Sequence, residues 1–407
     1  MPRLPRVSLT IALLLAAFSA SAAKFQELDS PAAAGSLAPS IATLADGRLV
    51  LTWLEPFEGG HALKFSLLDD GGFGPAKTIA RGEDWFANWA DTPGLFVLPG
   101  GDWVAHWLVK SGPSIYAYDV TLARSTDHGA SWSDPIAPHR DGTPTEHGFV
   151  SYFAASDHAV GVVWLDGRRM HTEPEGEGAM TLRTAVLERD QSVSERELLD
   201  ERVCDCCQTA SARTANGPIV VYRGRSRDEI RDHFVVRRTA DGWSEPALVH
   251  EDNWRIGGCP VNGPAIIADG ERVAVAWFTM ADGAPRVQLA ISRDSGKSFE
   301  RIDTLGEGTA LGRVDLALSE RGFVLSWVDR AGPAGVVELV DYGWQGRRLG
   351  AAAIEGLDAG RASGFPRLGV LHGCRPVIAW TGRDNDVQRV RVARIDADRG
   401  CESDFGS

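Results

Sequence analysis

The feature that most constrains the fold is a strand, ending in Trp or Tyr, that recurs along the whole 407-residue chain. Its seven copies end at Trp53, Trp107, Trp164, Tyr222, Trp277, Trp327 and Trp380, at separations of roughly 50 to 58 residues. Each copy follows an apolar run and a Gly/Asp turn and precedes a polar loop and an alternating strand, a pattern typical of short antiparallel strands. Blade-sized all-β repeats predict a β-propeller of four-stranded blades. Seven blades are favoured, with six as the alternative.

The N-terminal segment predicts export. Arg3 and Arg6 precede an apolar run over 7–18 and the small residues of 20–22, which is the pattern of a cleaved signal peptide. Residues 1–22 are therefore predicted to be the signal peptide, and 23–407 a single propeller domain in the periplasm or outside the cell. The first strand of the mature chain, within "KFQELDS", could complete the last blade.

Charge and hydropathy limit the partners. The net charge of −13 disfavours nucleic acid as a partner. The run over 7–18 is too short to span a bilayer and no second one follows, so no membrane span is predicted. A monomer is expected.

Two segments, "STDHGASW" (125–132) and "SRDSGKSF" (292–299), share the pattern S-x-D-x-G-x-[ST]-W, with Phe as the last residue of the second. Each can form a tight turn in which the aspartate accepts backbone N–H groups, the glycine takes a positive φ and the aromatic ring fills the base of the hairpin. These predicted structural residues are Asp127, Gly129, Trp132, Asp294, Gly296 and Phe299.

These motifs make the chain resemble the sialidase superfamily of Asp-box (BNR-repeat) propellers. The resemblance implies that a ligand binds at the face away from the Asp-boxes, where each first strand begins and where the loops after the aromatic residues lie. For sialic-acid hydrolysis it implies an arginine near the start of blade one and a tyrosine near the last blade, but Leu37 and Phe365 occupy these places. Whether the protein is an enzyme is therefore left open.

Four of the six cysteines lie at predicted first-strand starts: Cys204, Cys206 and Cys207 in blade four, and Cys259 in blade five. In an exported chain an even number of cysteines favours disulfides. We expect two disulfides among these four, joining the two blades, and a Cys374–Cys401 bridge holding the C-terminal tail. A thiolate site for zinc or copper(I) is the alternative, although adjacent cysteines are not expected to point easily at one ion. No other cofactor or metal is predicted.

The same face collects polar and aromatic residues. The predicted ligand-binding residues are Arg223, Arg225, Arg313, Arg367, His147 and Trp89, and the catalytic candidates are Asp91, Glu229 and Asp315. Guanidinium groups suit a carboxylate ligand, although a solvated ion lattice would explain the arginine-rich loop equally well. The leading hypothesis is binding of a small or glycan-like anionic ligand. The alternatives are a divergent glycoside hydrolase and a cell-envelope scaffold that binds a protein.

Overall fold

The computed structural model describes residues 24–174, 178–332, 334–384 and 387–396. The predicted signal peptide, 1–22, lies outside these residues. Within them the regular secondary structure is almost entirely β-strand, with one short helix, α1 (Arg168–Thr172), and 3-10 turns at Ala281–Gly283 and Arg361–Ser363. None of the described helices has the length and apolar character needed to cross a membrane.

The strands form seven small antiparallel sheets, so the prediction of a seven-bladed propeller is confirmed. The first described strand is β1 (Lys24–Leu28). Blade one contains β2 (Leu37–Thr43), β3 (Leu49–Phe57), β4 (Gly60–Asp69), β5 (Gly72–Phe73) and β6 (Lys77–Gly82). Blade two contains β7 (Gly94–Val97), β8 (Trp103–Lys110) and β9 (Tyr118–Ser125). Blade three contains β10 (His147–Ala154), β11 (Val160–Asp166), β12 (Thr181–Leu187) and β13 (Val193–Asp200).

The remaining blades repeat this pattern. Blade four contains β14 (Ala210–Thr214), β15 (Gly217–Arg223), β16 (His233–Thr239), β17 (Gly242–Trp243) and β18 (Ala247–Leu248). Blade five contains β19 (Ala265–Asp269), β20 (Arg272–Thr279), β21 (Arg286–Ser292) and β22 (Glu300–Leu305). Blade six contains β23 (Ala310–Ser319), β24 (Gly322–Ala331), β25 (Ala334–Tyr342) and β26 (Arg348–Asp358). Blade seven contains β27 (Arg367–Leu371), β28 (Arg375–Asp384) and β29 (Val387–Asp396).

The N-terminal strand closes the ring. Strand β1 pairs antiparallel with β29, from Lys24 opposite Asp396 to Leu28 opposite Val392, and becomes the outer strand of blade seven. The prediction that this segment completes the last blade is confirmed. Because the first and last segments of the propeller share one sheet, closure covers an edge that would otherwise be exposed.

The recurring aromatic residue packs inside the molecule. Trp53 and Trp164 are almost fully buried. The indole N–H of Trp53 donates to a carboxylate oxygen of Glu55 at 3.0 Å, and that of Trp164 donates to Asp166 at 2.8 Å. A large ring in this position fills the space between neighbouring blades, and an acidic residue two positions later satisfies its polar atom.

A second recurring feature lies where first strands begin. Ala38, Phe149 and Arg313 each have φ near 55° beside a shift in the register of their strand, and Val261 has φ 49° just before β19. Positive φ is uncommon for residues other than glycine, and a bulge redirects the side chains that follow it. The residues two positions further on line the centre of the propeller: Ser40, Ser151, Gly263 and Asp315.

The first Asp-box joins the third strand of blade two to the segment that completes the blade. Asp127 accepts a hydrogen bond from the backbone N–H of Ser131 at 2.8 Å, and Gly129 has φ 79°. Trp132 packs edge-on against Phe65 of the preceding blade, with ring centroids 6.4 Å apart. This turn lies at the opposite end of the blades from the first-strand starts, as the strand order requires.

The second Asp-box, between β21 and β22, has the same geometry. Asp294 accepts hydrogen bonds from the backbone N–H groups of Lys297 and Ser298, both at 3.0 Å, and Gly296 has φ 79°. Phe299 packs against the cluster formed by blades four and five. Both turns thus contain aspartates whose oxygens are used within the turn.

Candidate functional site

A central pocket of about 270 Å³ lies where the first strands converge. All seven blades contribute to its lining, through Ser40, Asp91, Ser151, Thr209, Gly263, Asp315 and Arg367 in blade order. Three of the predicted site residues, Asp91, Asp315 and Arg367, therefore meet in one cavity. The lining is mostly polar, which suits a hydrophilic ligand.

Asp91 belongs to a buried acid pair. One carboxyl oxygen of Asp91 accepts the backbone N–H of Phe149 at 2.8 Å, and the other lies 2.9 Å from the Tyr118 hydroxyl. That hydroxyl also lies 2.7 Å from a carboxyl oxygen of Glu146. A phenol has one proton, so one of the two carboxyl groups must carry a proton for both contacts to be hydrogen bonds. Burial raises the pKa of Asp91 to about 7 and that of Glu146 to about 8.

A neutral histidine supports another wall of the pocket. His106 Nε2 lies 3.0 Å from the carbonyl oxygen of Thr92, to which it donates, so Nδ1 accepts from the Tyr152 hydroxyl at 2.6 Å. Burial lowers the pKa of His106 to about 3. This pair therefore presents the Tyr152 oxygen to the pocket as a fixed polar group.

Arg367 and Asp315 form the polar wall from blades six and seven. Asp315 accepts the backbone N–H groups of Leu316 and Leu368, both at 2.9 Å, and burial raises its pKa. Arg367 donates to the Thr92 hydroxyl at 3.3 Å, whereas its buried Nε has no hydrogen-bond partner. Among the described residues no carboxylate lies within ion-pair distance of Arg367. Its charge acts on Asp315 in the same wall, where it opposes the effect of burial on the pKa of that carboxyl.

Two of the predicted ligand-binding arginines are instead buried structural residues. Arg223 is 2% exposed and donates to the carbonyl oxygens of Asn262, Arg231 and Phe278. Arg313 is 8% exposed and donates to Ser363 and to the carbonyl oxygen of Gly360. Neither residue lines the central pocket, because their guanidinium groups join neighbouring blades through main-chain and hydroxyl acceptors.

His147 lies in a buried ionic cluster and does not line the central pocket. Its ring stacks on His139 with centroids 4.0 Å apart, and its nitrogens lie 3.1 Å from Asp119 and 3.3 Å from Asp141. Burial opposes the charge on the imidazole, but the two carboxylates outweigh burial and raise the pKa of His147 to about 9. The ring is therefore an imidazolium held between carboxylates at neutral pH.

The arginine-rich loop after β15 forms a compact ion lattice. Arg225 donates to both Asp205 and Glu229, and Glu229 also accepts from Arg231 at 2.7 Å. Glu229 does not line the central pocket, and its carboxylate accepts hydrogen bonds from two guanidinium groups. Hydrogen bonds from Arg225 and Arg231 hold the pKa of Glu229 below its usual value, which does not suit a proton donor.

Trp89 lies beside the central pocket. Its ring is half-buried and stacks on Phe365 of blade seven, with centroids 6.0 Å and planes 9° apart. The Arg361 guanidinium lies 5.8 Å from the Trp89 ring centre. Packing between blades two and seven therefore accounts for this residue.

The four cysteines at the starts of blades four and five form a cysteine cluster: Cys204, Cys206, Cys207 and Cys259. All four are free, so the two predicted disulfides among them are absent. The Sγ atoms of Cys204 and Cys207 are 3.0 Å apart, well beyond the length of a disulfide bond. Thiol contacts from Cys206 and Cys207, with Arg223 nearby, lower the pKa of Cys204.

The remaining predicted disulfide can be described only at one end. Cys374 is disulfide-bonded, and Cys401, its predicted partner, lies outside the described residues.

Several residues that build the site were not identified from the sequence. They are Tyr118, Glu146, His106, Tyr152 and Gln208. His106, Tyr118 and Tyr152 lie inside or at the start of strands, where the alternation of apolar and polar residues indicates only that their side chains face inward. Glu146 precedes β10 directly, so its position at a first-strand start was the available signal.

Comparisons with known proteins identify the fold. No protein-family model matches the chain, and no curated protein matches it. A protein of unknown function from Dyadobacter fermentans DSM 18053 is 14% identical over 93% of this chain and 99% of that one, with a TM-score of 0.50. The polysaccharide lyase Uly1 is 7% identical over 88% and 90% of the two chains, with a TM-score of 0.51. At these identities the similarity shows a shared propeller fold.

Proposed function

We propose that this protein is exported and binds a small, glycan-like, anionic ligand in the central pocket. The observation that carries the proposal is Arg367, which lines the polar central pocket and, among the described residues, has no carboxylate within ion-pair distance. A ligand carboxylate or sulfate would pair with the charge of this guanidinium group.

The rest of the lining supports a hydroxyl-rich ligand. Ser40, Ser151 and Thr209 offer hydroxyl groups from three blades, and Tyr152 adds a phenol held in place by His106. The serine hydroxyls can donate and accept, whereas the oxygens of Tyr152 and Thr209, whose protons are donated within the protein, can accept from sugar hydroxyls. Uly1, a polysaccharide lyase, has the same fold, although the fold alone does not determine what binds.

The test is a binding panel of mono- and disaccharides carrying a carboxylate, a sulfate or no charge, measured by calorimetry. We expect anionic members to bind and Arg367→Ala to weaken them about ten- to a hundredfold, the value of a charged hydrogen bond. Arg301→Ala, which removes an exposed arginine on β22, is the matched control and should change nothing. Equal binding of neutral and anionic members, unaffected by Arg367→Ala, contradicts the proposal.

A second candidate is glycoside hydrolysis at the same pocket, with Asp91 as proton donor. The observation that favours it is the raised pKa of Asp91, about 7, which keeps a carboxylic acid protonated near neutral pH. A panel of chromogenic glycosides tests this candidate. Turnover that falls as pH rises through about 7 and is lost in Asp91→Asn would support hydrolysis. Absence of turnover on every glycoside would reject hydrolysis and leave ligand binding as the proposed function.

Export is tested separately. The mature protein is expected to begin near Ala23, because residues 20–22 fit a signal-peptidase site. Intact-mass measurement of protein recovered from the periplasm or medium checks this expectation. Retention of residues 1–22 would contradict it.

A further inference from the structure

The cysteine cluster brings four thiols together from two blades. The sulfur atoms of Cys204, Cys206 and Cys207 all lie within 4.8 Å of one another, and the Cys206 thiol also contacts Cys259. Adjacent cysteines were not expected to converge in this way. They do so here because the turn over 204–207 brings the side chains of Cys206 and Cys207 back toward Cys204.

The pattern of contacts distinguishes an ion site from disulfides. The sulfur of Cys206 lies within 4.8 Å of those of both Cys204 and Cys207, which are themselves 3.0 Å apart, whereas a disulfide joins sulfurs in exclusive pairs. Four thiolates around one tetrahedral ion with metal–sulfur bonds of about 2.3 Å would have sulfurs about 3.8 Å apart. The separations among Cys204, Cys206 and Cys207, all below 4.8 Å, are compatible with that arrangement. The sulfur of Cys259 is not within 4.8 Å of all three, so it must move inward to become the fourth ligand.

The surroundings of the cluster carry positive charge aimed at sulfur. The side chain of Arg231 is 3% exposed, and its guanidinium donates to Cys204 Sγ at 3.4 Å as well as to Glu229. A neutral disulfide has no need of a buried cation, whereas thiolates around a metal ion retain negative charge that a guanidinium offsets. Cys204 and Cys207 are 0% and 2% exposed, so this charge would otherwise be poorly solvated.

The framework that holds the cluster is rigid. Arg223 donates to the carbonyl oxygens of both Asn262 and Arg231, which fixes the segment after Cys259 relative to the loop that carries Arg231. Gln208, next to Cys207, accepts the backbone N–H of Gly263. Ligands held by such outer contacts are preorganised for one ion.

From these contacts we infer that Cys204, Cys206, Cys207 and Cys259 bind one thiophilic d10 cation. Zn²⁺ and Cu⁺ are the two ions that an all-sulfur donor set suits. Cys259 is exposed while Cys204 and Cys207 are buried, so the site opens to solvent on one side. An ion could enter and leave there without unfolding of the blades.

The test uses the mature chain, reduced and handled without oxygen, and loaded separately with Zn²⁺ and with Cu⁺. After competition with a chelator, we expect one ion per chain by elemental analysis and four thiols that no longer react with a thiol reagent in the folded protein. Loading with both ions together shows which one the site prefers. Retention of neither ion by the reduced, folded protein overturns the inference.

A spectroscopic test reports the thiolate ligands directly. Co²⁺ bound to the cysteine cluster should give intense sulfur-to-cobalt charge-transfer bands and the d–d bands of a tetrahedral site. In Cys259→Ser these charge-transfer bands should lose about a quarter of their intensity, because the variant has three thiolates out of four. Asp228→Asn, an exposed position in the neighbouring loop, is the control and should leave the spectrum unchanged. A Co²⁺ spectrum without thiolate bands, or one that Cys259→Ser leaves intact, counts against the site.

Discussion

The side-chain oxygen of Gln208 accepts a hydrogen bond from the backbone N–H of Gly263 at 3.0 Å, which joins the first-strand starts of blades four and five. The Gln208 amide also donates to the carbonyl oxygen of Ala90 in blade two at 2.9 Å. One side chain thus connects three blades between the cysteine cluster and the central pocket. The close approach requires a glycine, because a Cβ at position 263 would lie 2.2 Å from the Gln208 carbonyl oxygen.

We therefore predict that Gly263→Ala destabilises the protein by about 1–3 kcal/mol, the usual cost of overpacking against backbone that cannot move away. The measurement is the free energy of unfolding in urea. Gly257→Ala is the matched control, since a Cβ there has no neighbour within 4 Å. Equal stability of the two variants would show that the blade starts can separate without cost.

The proton shared by Asp91, Tyr118 and Glu146 predicts a pH dependence of stability. The folded pKa values, about 7 and about 8, lie above the unfolded values near 4. The folded state therefore binds protons more tightly, and its stability falls as pH rises from about 4 to about 8. Asp91→Asn should reduce this fall. Urea midpoints across that range measure it, with Asp157→Asn, an exposed carboxylate, as control.

His147 predicts a second dependence in a different range. Its folded pKa of about 9 lies above the unfolded value near 6.5. Its stabilisation is complete below about pH 6.5 and is lost as pH rises through about 9. His147→Gln should remove this loss, and NMR titration of the ring should show the raised pKa. A ring that titrates near 6.5 would mean that Asp119 and Asp141 do not hold an imidazolium.

The Asp-box turn predicts a separation of stability from binding. Asp127→Ala should lower the melting temperature, because Ser131 N–H and the Ser125 hydroxyl lose their acceptor. Ligand affinity should be unchanged, because the turn lies at the opposite end of the blades from the central pocket. The exposed Asp134 gives the control variant, Asp134→Ala. Weakened binding in folded Asp127→Ala would indicate that the ligand binds at the Asp-box end of the blades, which contradicts the proposed pocket.

Two variants distinguish the ligand site in the central pocket from the metal site at the cysteine cluster. Arg367→Ala should weaken anionic ligands and leave metal binding intact, whereas Cys259→Ser should do the reverse. Arg367 lines the central pocket and Cys259 does not, so this outcome requires only that the sites act independently.

The sequence alone predicted the propeller, favoured seven blades over six, suggested how the first strand closes the ring and located the turns. These properties depend on local chemistry repeated in each unit: alternation sets the strands, a buried Trp such as Trp164 sets the blade interface, and Gly129 permits the Asp-box turn. Because each signal lies within a few residues, no knowledge of distant contacts was needed. Asp91, Asp315 and Arg367 could be placed in the site because position along a blade fixes which strand ends meet at the axis.

Only the tertiary structure decided what the other polar residues do. Arg223 and Arg313 have the same chemistry as Arg367, but their guanidinium groups are used by carbonyl oxygens of neighbouring blades. The arrangement of the thiols of Cys206 and Cys259 likewise depends on how two blades approach each other. These outcomes depend on bulges and on contacts between residues far apart in the chain, and no local pattern encodes such contacts.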